Sequence, residues 1–238
     1  MSSFLKPGLE SIGHSVLGLP IVGFRFQNPS ARKIYVIGGV HGDEKEGTLC
    51  AWALLQNLLE LVKNQALHSY PEVFILPEFN IDGVQLNTRL NARAVDLNRN
   101  LPTKDWNPQA FNERYPPGPA AGSEPESQAL IKLLETDPPH LIVSLHSWQP
   151  MLNVNGDCME EAKILQSHHQ YKIVETIPDH PAPGCLGTYA GIERQIPTIT
   201  YEIERGLSPE KVISIHVSAL LDLFDKSGSK KHSIRNPL

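Results

Sequence analysis

The strongest constraint on the fold is a β-prone apolar run that ends in two glycines and leads into a helical pattern. The run is KIYVIGGV, residues 33–40, and the segment from Glu46 to Val62 places its apolar residues near helical spacing. The motif HGDEKEG, residues 41–47, therefore lies at a predicted strand-to-helix turn. In open α/β sheets, such turns line the ligand crevice at the carboxyl ends of the strands.

The rest of the chain repeats this alternation of strands and helices. A leading hairpin is predicted from SVLG and PIVGFRF, and further strands from EVFILP, PPHLIVSLH, MLNVN and IPTITYEIE. Helices are predicted from GSEPESQALIKLLE with Ser123 as N-cap, from DCMEEAKILQSHHQ, and from SPEKVISIHVSALLDLF, which Ser208 opens. The stretch from Asn80 to Ser123 has no clear periodicity and predicts a long loop. The alternation favours an α/β layered sandwich with a mostly parallel or mixed sheet.

Composition restricts the partners and the compartment. A chain of 238 residues with 40% hydrophobic content fits one domain, predicted over residues 1–225, with a polar and mobile tail at 226–238. The net charge of -5 gives no basic face for nucleic acid, and no stretch approaches the roughly 20 apolar residues of a membrane span. The three cysteines form no CxxC pair and predict reduced, partly buried thiols. We expect a cytoplasmic protein whose oligomeric state, a homodimer included, the sequence leaves open.

A candidate metal site follows from two of the strand ends. His41 and Glu44 are two residues apart in the tight turn after the first run, where glycines allow close approach to an ion or a substrate. His146 ends the buried run LIVSL, so its strand would deliver it to the same edge of the sheet. Three protein ligands with one open position are typical of catalytic zinc.

Two further groups bear charges suited to catalysis or binding. The segment NTRLNARAVDLNRN, residues 87–100, has three arginines among asparagines, and guanidinium groups bind carboxylates in bidentate fashion. Glu202 and Glu204 both lie in the strand pattern TITYEIE, and residues two apart share a face, so alternation does not choose between them. A carboxylate inside an apolar strand needs a partner or a function.

The order of these motifs is recognisable: GGVHGDE, NIDG, RLNARAVDLNRN, GSEPESQAL, SLH and TITYE. From about Ile12 to Glu204 the chain resembles the zinc metallocarboxypeptidase family, most closely its short bacterial murein peptide amidase group. The resemblance implies a three-layer α/β/α sandwich with a mixed, twisted central sheet. It also implies one Zn²⁺ per chain as the cofactor.

The resemblance assigns roles to individual residues. It implies that His41, Glu44 and His146 bind the zinc ion and that Glu202 is the catalytic general base. Arg89 matches the arginine that stabilises the oxyanion. The remaining matches are Asn98 and Arg99 for the terminal carboxylate of the substrate, and Asp96 for the residue that orients the first zinc histidine. Tyr189 is a candidate for the substrate pocket, with a packing role as the alternative.

The implied activity is hydrolysis of an amide bond in a small peptide. In the murein peptide amidase group, the bond joins γ-D-glutamate to meso-diaminopimelate, which fits recycling of cell-wall fragments in the cytoplasm. The alternatives are another metallocarboxypeptidase specificity, an acylase of the aspartoacylase and succinylglutamate desuccinylase type, and a non-catalytic zinc or peptide-binding module. The chain departs from the group at NIDG, at Ser147-Trp148, and at the Ile-Glu-Arg that follows Glu202, and these departures fall on expected specificity surfaces.

Overall fold

The computed structural model describes residues 7–28, 32–64, 70–110, 112–177 and 180–228. Within these ranges, eight strands form one sheet in the order β1-β2-β4-β3-β5-β8-β6-β7. The strands are β1 (Gly8–His14), β2 (Pro20–Phe26), β3 (Lys33–Ile37), β4 (Glu72–Leu76), β5 (Leu141–Trp148), β6 (Met151–Asn155), β7 (Lys172–Val174) and β8 (Thr198–Glu204). The central strands β4, β3, β5 and β8 run parallel, whereas β1, β2 and β6 pair antiparallel to their neighbours β2, β4 and β8, respectively. The predicted mixed sheet is confirmed.

Helices cover both faces of the sheet. The α-helices are α1 (Lys45–Lys63), α2 (Ile81–Leu86), α3 (Pro125–Thr136), α4 (Met159–Gln166), α5 (Pro209–Lys211) and α6 (Ser218–Gly228). In β3, Ile34 and Val36 join a core cluster with α1, α4 and α6, while Tyr35 and Ile37 join a second cluster with α3. Because alternate residues of a strand point to opposite faces, the two clusters lie on opposite sides of the sheet. The result is a three-layer α/β/α arrangement.

The leading hairpin forms, but its first strand differs from the prediction. The strand is β1, GLESIGH, and the segment SVLG is the turn that connects β1 to β2. Gly18 has a φ of 80°, which favours glycine, and the Asp82 carboxylate accepts hydrogen bonds from Ser15 Oγ (2.7 Å) and Leu17 N (3.0 Å). These tertiary contacts override the apolar pattern of SVLG.

The predicted loop between Asn80 and Ser123 contains two short helical elements. They are α2, whose N-cap Asn80 accepts a hydrogen bond from Gly83 N at 3.0 Å, and a 3₁₀ turn at Leu97–Arg99. The N-cap of α3 is Glu124 rather than Ser123, and Pro125 occupies the first turn as expected. The loop is therefore more ordered than its lack of periodicity indicates.

The C-terminal helix is interrupted by a π-helical stretch. This stretch, Val212–Val217, separates α5 from α6, and a second π-helical turn lies at Gly187–Ile192. Because α6 continues to Gly228, the predicted start of a polar tail at residue 226 falls inside a helix; residues 229–238 lie outside the described residues. The single-domain division stays a prediction.

The three cysteines are at least half-buried, as the sequence predicts. Cys50 and Cys158 are buried, Cys185 is half-buried, and all three are free thiols. Among the described residues, no helix combines the length and the apolar character needed to cross a membrane.

Candidate metal centre

Three adjacent parallel strands bring the predicted chemical groups to one edge of the sheet. His41 lies in the turn after β3, and His146 lies in the neighbouring strand β5. Glu202 in β8 is the direct register partner of His146. The structure thus brings together side chains that are up to 161 positions apart, from His41 to Glu202, as the strand-end pattern predicts.

The glycines around His41 serve backbone packing. Gly39 has a φ of 63°, in the region that favours glycine. A Cβ on Gly42 would lie 2.0 Å from the carbonyl carbon of Gly83 in α2. The turn is therefore held against α2, whereas the sequence interpretation assigned these glycines to close approach of an ion or substrate. The packing fixes where His41 points.

The side chains of His41, Glu44 and His146 converge on one point. Glu44 Oε1 lies 2.9 Å from His41 Nδ1, and Glu44 Oε2 lies 2.9 Å from His146 Nδ1. The two Nδ1 atoms are 3.1 Å apart, and all three residues are buried. In the described part of the chain, these three residues form a group whose ligand atoms lie within 4.8 Å of one another.

The outer nitrogens of both imidazoles are fixed by hydrogen bonds. His41 Nε2 lies 3.1 Å from Asp96 Oδ1, and His146 Nε2 lies 3.1 Å from Ser144 Oγ. Donation from Nε2 leaves both Nδ1 lone pairs directed at the same point, where a cation would stabilise them. This donor set fits a catalytic zinc ion, for which two histidines, one carboxylate and an open position are typical. Sequence reasoning missed Ser144, although its place two residues before His146 puts it on the same strand face.

Arg89 links the two carboxylates that contact His41, those of Glu44 and Asp96. Its Nη1 donates to Glu44 Oε1 at 3.0 Å, and its Nε donates to Asp96 Oδ2 at 3.0 Å. Burial alone would raise the pKa of Asp96, but His41 and Arg89 hold it well below its usual range. Asp96 therefore stays charged and orients both His41 and Arg89.

Glu202 and Glu204 have different environments. Glu202 is 9% exposed, and its Oε2 atom is buried without a hydrogen-bond partner among the described residues. Burial raises the pKa of Glu202 to about 7, and the charge of His146 opposes the rise. Glu204 is exposed and its backbone nitrogen donates to Tyr171 Oη at 3.3 Å. Only Glu202 of the two faces the metal centre.

The 3₁₀ turn presents Asn98 and Arg99 to the same cleft. Asn98 N donates to Asp96 Oδ1 at 2.9 Å, and Asn98 Oδ1 accepts from Leu186 N at 2.9 Å. Arg99 Nη1 donates to the Asn98 carbonyl at 2.7 Å, while its buried Nε has no partner in the described structure. Arg99 is therefore a cation with unused donor capacity in the wall of the cleft.

Several cleft residues were not singled out from the sequence. Tyr115 lies beneath both Arg89 and Arg99, whose Cζ atoms are 4.9 and 5.0 Å from its ring centroid. His180 packs against Tyr115 and Trp148 with centroid distances of 5.3 and 5.0 Å. Burial and then the charges of nearby arginines, Arg99 first, lower the pKa of His180. Tyr115 and His180 come from loops without periodicity, so no sequence signal placed them.

The complete lining of the cleft combines the predicted and the missed residues. It is formed by His41, Glu44, Arg89, Asn98, Arg99, Arg114, Tyr115, His146, Ser147, Trp148, Asn153, Ile177, His180, Ala182, Cys185, Thr200, Glu202 and Arg205.

Two residues of the sequence interpretation lie elsewhere. Tyr189 is 0% exposed, in the core cluster that includes α3, and Arg194 Cζ stacks 3.4 Å from its ring centroid. The structure gives Tyr189 the packing role, because the π-helical turn directs its side chain into the core instead of the cleft. Arg93, one of the three arginines in residues 87–100, is 57% exposed and lies 3.8 Å from Glu124 outside the cleft lining.

Comparison with known proteins agrees with this geometry. The family model described as zinc carboxypeptidase matches residues 7–203. The chain is 33% identical over 227 residues to murein peptide amidase A from Vibrio campbellii, covering 90% of this chain and 86% of that protein. It is 34% identical over 151 residues to murein peptide amidase A from Escherichia coli K12, covering 59% of each.

Solved structures show the same fold. A murein-tripeptide amidase from Escherichia coli O157 superposes with a TM-score of 0.73 at 24% identity, with 94% of both chains covered. Thrombin-activatable fibrinolysis inhibitor superposes with a TM-score of 0.77 at 18% identity, covering 96% of this chain and 70% of that one. Because the zinc carboxypeptidase model matches most of the chain and a murein peptide amidase is 33% identical over 90% of it, the chain belongs to the zinc carboxypeptidase family and is a hydrolytic enzyme of the metallopeptidase type.

Proposed function

We propose that this enzyme hydrolyses an amide bond next to a free carboxylate in a small peptide, namely the γ-D-glutamyl–meso-diaminopimelate bond of murein peptides. The observation that carries the proposal is the convergence of His41, Glu44 and His146 in the cleft that Glu202 also lines, where its buried Oε2 has no partner among the described residues. The similarity to murein peptide amidases supports the substrate class. Recycling of cell-wall fragments in the cytoplasm is the role that fits this substrate.

His41, Glu44 and His146 would hold one zinc ion per chain. When bound, zinc acts as a Lewis acid that acidifies water and polarises a carbonyl oxygen. Asp96 and Ser144 fix the orientation of the two imidazoles through their Nε2 atoms.

Glu202 is the proposed general base. Its carboxylate takes a proton from the attacking water as the water oxygen bonds to the carbonyl carbon. The C–N bond then breaks, and Glu202 returns the proton to the leaving nitrogen. Its burial fits this role, because a pKa near 7 allows the carboxyl group both to accept and to release a proton at neutral pH.

Two sets of residues would position the substrate. Arg89 lies against Glu44 and would face the negative charge that develops on the carbonyl oxygen. Asn98 and Arg99 would bind the carboxylate beside the leaving amine, since Arg99 has unused donors in the cleft wall. Their grip determines which amide bond reaches the metal centre.

The test is product analysis with two substrates. The zinc-loaded enzyme should release meso-diaminopimelate from L-Ala-γ-D-Glu-meso-diaminopimelate, detected by mass spectrometry, and should not hydrolyse N-succinylglutamate. Turnover of N-succinylglutamate alone would instead support the acylase alternative. Cell fractionation tests the proposed compartment.

A further inference from the structure

Two exposed arginines lie at the rim of the cleft, on the side where α1 begins. Arg205 directly follows β8, and its Nη2 donates to the Asp43 carbonyl (2.7 Å) and to Asp43 Oδ2 (2.8 Å). Arg114 Nη2 lies 4.0 Å from the same Oδ2 atom. Asp43 immediately precedes Glu44, so this rim pair, Arg114 and Arg205, is anchored beside a residue of the metal centre.

The rim pair has N–H donors that make no hydrogen bond within the described structure. The side chains of Arg114 and Arg205 are 55% and 39% exposed, whereas that of Arg89 is 13% exposed, contacts Glu44 and Asp96, and is assigned to the oxyanion. In the described structure, the carboxylate of Asp43 engages only one nitrogen of Arg205, and a guanidinium group has five N–H donors. Within the rim pair, two guanidinium groups share the carboxylate of Asp43, and the charges of Glu44 and Glu46 also act on Arg205.

Arg205 also lies close in the chain to the proposed base. It ends the segment Glu-Ile-Glu-Arg, residues 202–205, which begins at Glu202. Arg205 and Glu202 both line the same cleft. A substrate whose scissile bond lies at Glu202 could therefore extend to Arg205.

The chemistry of the proposed substrate supplies a matching anion. A glutamate joined through its γ-carboxyl retains a free α-carboxylate on the acyl side of the scissile bond. Asn98 and Arg99 are assigned to the carboxylate on the amine side, and Arg89 is held by Glu44 and Asp96. Among the arginines that line the described cleft, the rim pair is left for the acyl side.

Resting on the proposed function, we propose that Arg205, oriented by Asp43 and assisted by Arg114, binds the α-carboxylate of the γ-linked glutamate. The rim pair then selects substrates with an anionic group on the acyl side. Arg99 binds the carboxylate on the amine side, and the rim pair binds the carboxylate on the acyl side. The enzyme therefore recognises a γ-glutamyl peptide that has an anionic group on each side of the scissile bond.

The experiment compares two tripeptides that differ in one group. One is L-Ala-γ-D-Glu-meso-diaminopimelate, and the other has the glutamate α-carboxylate replaced by a carboxamide. The wild-type, zinc-loaded enzyme should have a kcat/KM about tenfold lower for the carboxamide, because a charge-assisted hydrogen bond is lost. Arg205→Gln should lower kcat/KM about tenfold for the carboxylate peptide only, and Arg205→Lys should restore part of it. Arg93→Gln, which removes an exposed arginine outside the cleft, is the matched control and should change neither value.

The outcomes separate this inference from the proposed function. Binding of both tripeptides to the zinc-loaded Glu202→Gln variant, measured by calorimetry, gives the carboxylate preference even without turnover. A preference in binding with no hydrolysis by the wild type would overturn the proposed function and retain the inference. Equal affinity and equal kcat/KM for the two tripeptides, or an Arg205→Gln variant impaired equally on both, would overturn the inference. Failure of both tripeptides to bind would also overturn the inference.

Discussion

Arg25 and Arg89 each hold several carboxylates, and they do so at opposite ends of the parallel strands. Arg25 lies near the starts of β3 and β4, where it binds Glu10 (2.8 Å), Glu72 (2.8 Å) and Asp137 (3.0 Å). In the described structure, none of these four residues has a buried side-chain nitrogen or oxygen without a partner. We call these four residues the amino-end cluster; its charged groups are satisfied by protein partners without a ligand.

The second cluster lies around Arg89 at the carboxyl ends of the strands, and some of its buried polar atoms have no protein partner in the described residues. Two imidazole Nδ1 atoms face each other at 3.1 Å, and buried atoms of Arg99 and Glu202 lack partners in the described residues. Because buried polar atoms are nearly always satisfied, unsatisfied ones at one location indicate a site that binds something. The comparison teaches that burial of charge alone does not mark a functional site. Several incompletely paired groups that line one cleft do, whereas a single one in the core, such as Tyr189 Oη, does not. The following experiments test this distinction, from the largest expected effect to the smallest.

Glu202→Gln should abolish most of the turnover. Loss of a general base typically costs 10²–10⁴-fold, and we expect a fall in kcat of about 10³-fold with zinc retained. Steady-state kinetics and metal analysis measure both quantities. Glu204→Gln is the matched control, since Glu204 is exposed outside the cleft, and it should keep its activity. An active Glu202→Gln variant would remove Glu202 from the role of base.

Arg25→Met should destabilise the protein without changing the catalytic constants of the folded enzyme. The substitution leaves Glu10, Glu72 and Asp137 without their shared cation, and breaking such a network by one partner costs about 3 kcal/mol. Partial exposure of Glu10 and Asp137 keeps the effect at this lower end of the range. The free energy of unfolding from urea titration measures the change. A loss of kcat/KM in the folded variant would contradict the assignment of Arg25 to structure.

Arg89→Met should give the opposite result. The carboxylates of Glu44 and Asp96 keep His41 and the bound metal as partners, so we expect the unfolding free energy of the zinc-loaded enzyme to fall less than in Arg25→Met. Removal of an oxyanion-stabilising donor typically lowers kcat about 10²-fold or more. The same two assays decide between the clusters. Equal effects on stability and no effect on kcat would mean that the two arginines have the same role.

Arg99→Gln should act mainly on substrate binding. Hydrogen bonds to a charged group contribute about 1.5–3 kcal/mol, so KM should rise roughly 10- to 100-fold while kcat changes little. Initial-rate kinetics with the tripeptide separate the two constants. An unchanged KM would remove Arg99 from the carboxylate pocket.

The pH dependence of stability should reveal Glu202 in the chelated protein. Burial raises its pKa from 4.5 to about 7, so the folded state binds the proton more tightly than the unfolded state. Its stabilising contribution is fully present below pH 4.5 and is lost as the pH rises through about 7. The wild type should therefore lose stability relative to Glu202→Gln across this window, measured by urea titration. An identical pH profile for both proteins would contradict the raised pKa.

The sequence predicted the parts of the site that depend on strand ends. His41, Glu44 and His146 follow from short local patterns, because parallel strands deliver their carboxyl ends to one edge of the sheet. The choice between Glu202 and Glu204 required the family resemblance, since alternation treats both residues alike. Their difference in burial arises only when β8 is paired inside the sheet.

The parts that escaped prediction depend on long-range side-chain contacts. Asn100 Nδ2 donates to the carbonyls of Pro117 (2.8 Å) and Ala120 (3.1 Å) and to Ser123 Oγ (3.0 Å), which orders a segment without periodicity. Arg205 reaches the cleft through Asp43, 162 positions earlier in the chain. Such contacts leave no pattern in neighbouring residues, so local reading of the sequence does not find them.

The position of Asp96 couples the proposed metal site to the proposed carboxylate pocket. Its Oδ1 atom accepts from both His41 Nε2 and Asn98 N, so one carboxylate supports a proposed metal ligand and the start of the turn that bears Arg99. Any ligand that tightens this turn also alters the support of His41, and thermodynamic reciprocity requires the converse. A laboratory search for new specificity that moves this turn would therefore select for changed metal retention as well. The two properties would evolve together as one trait.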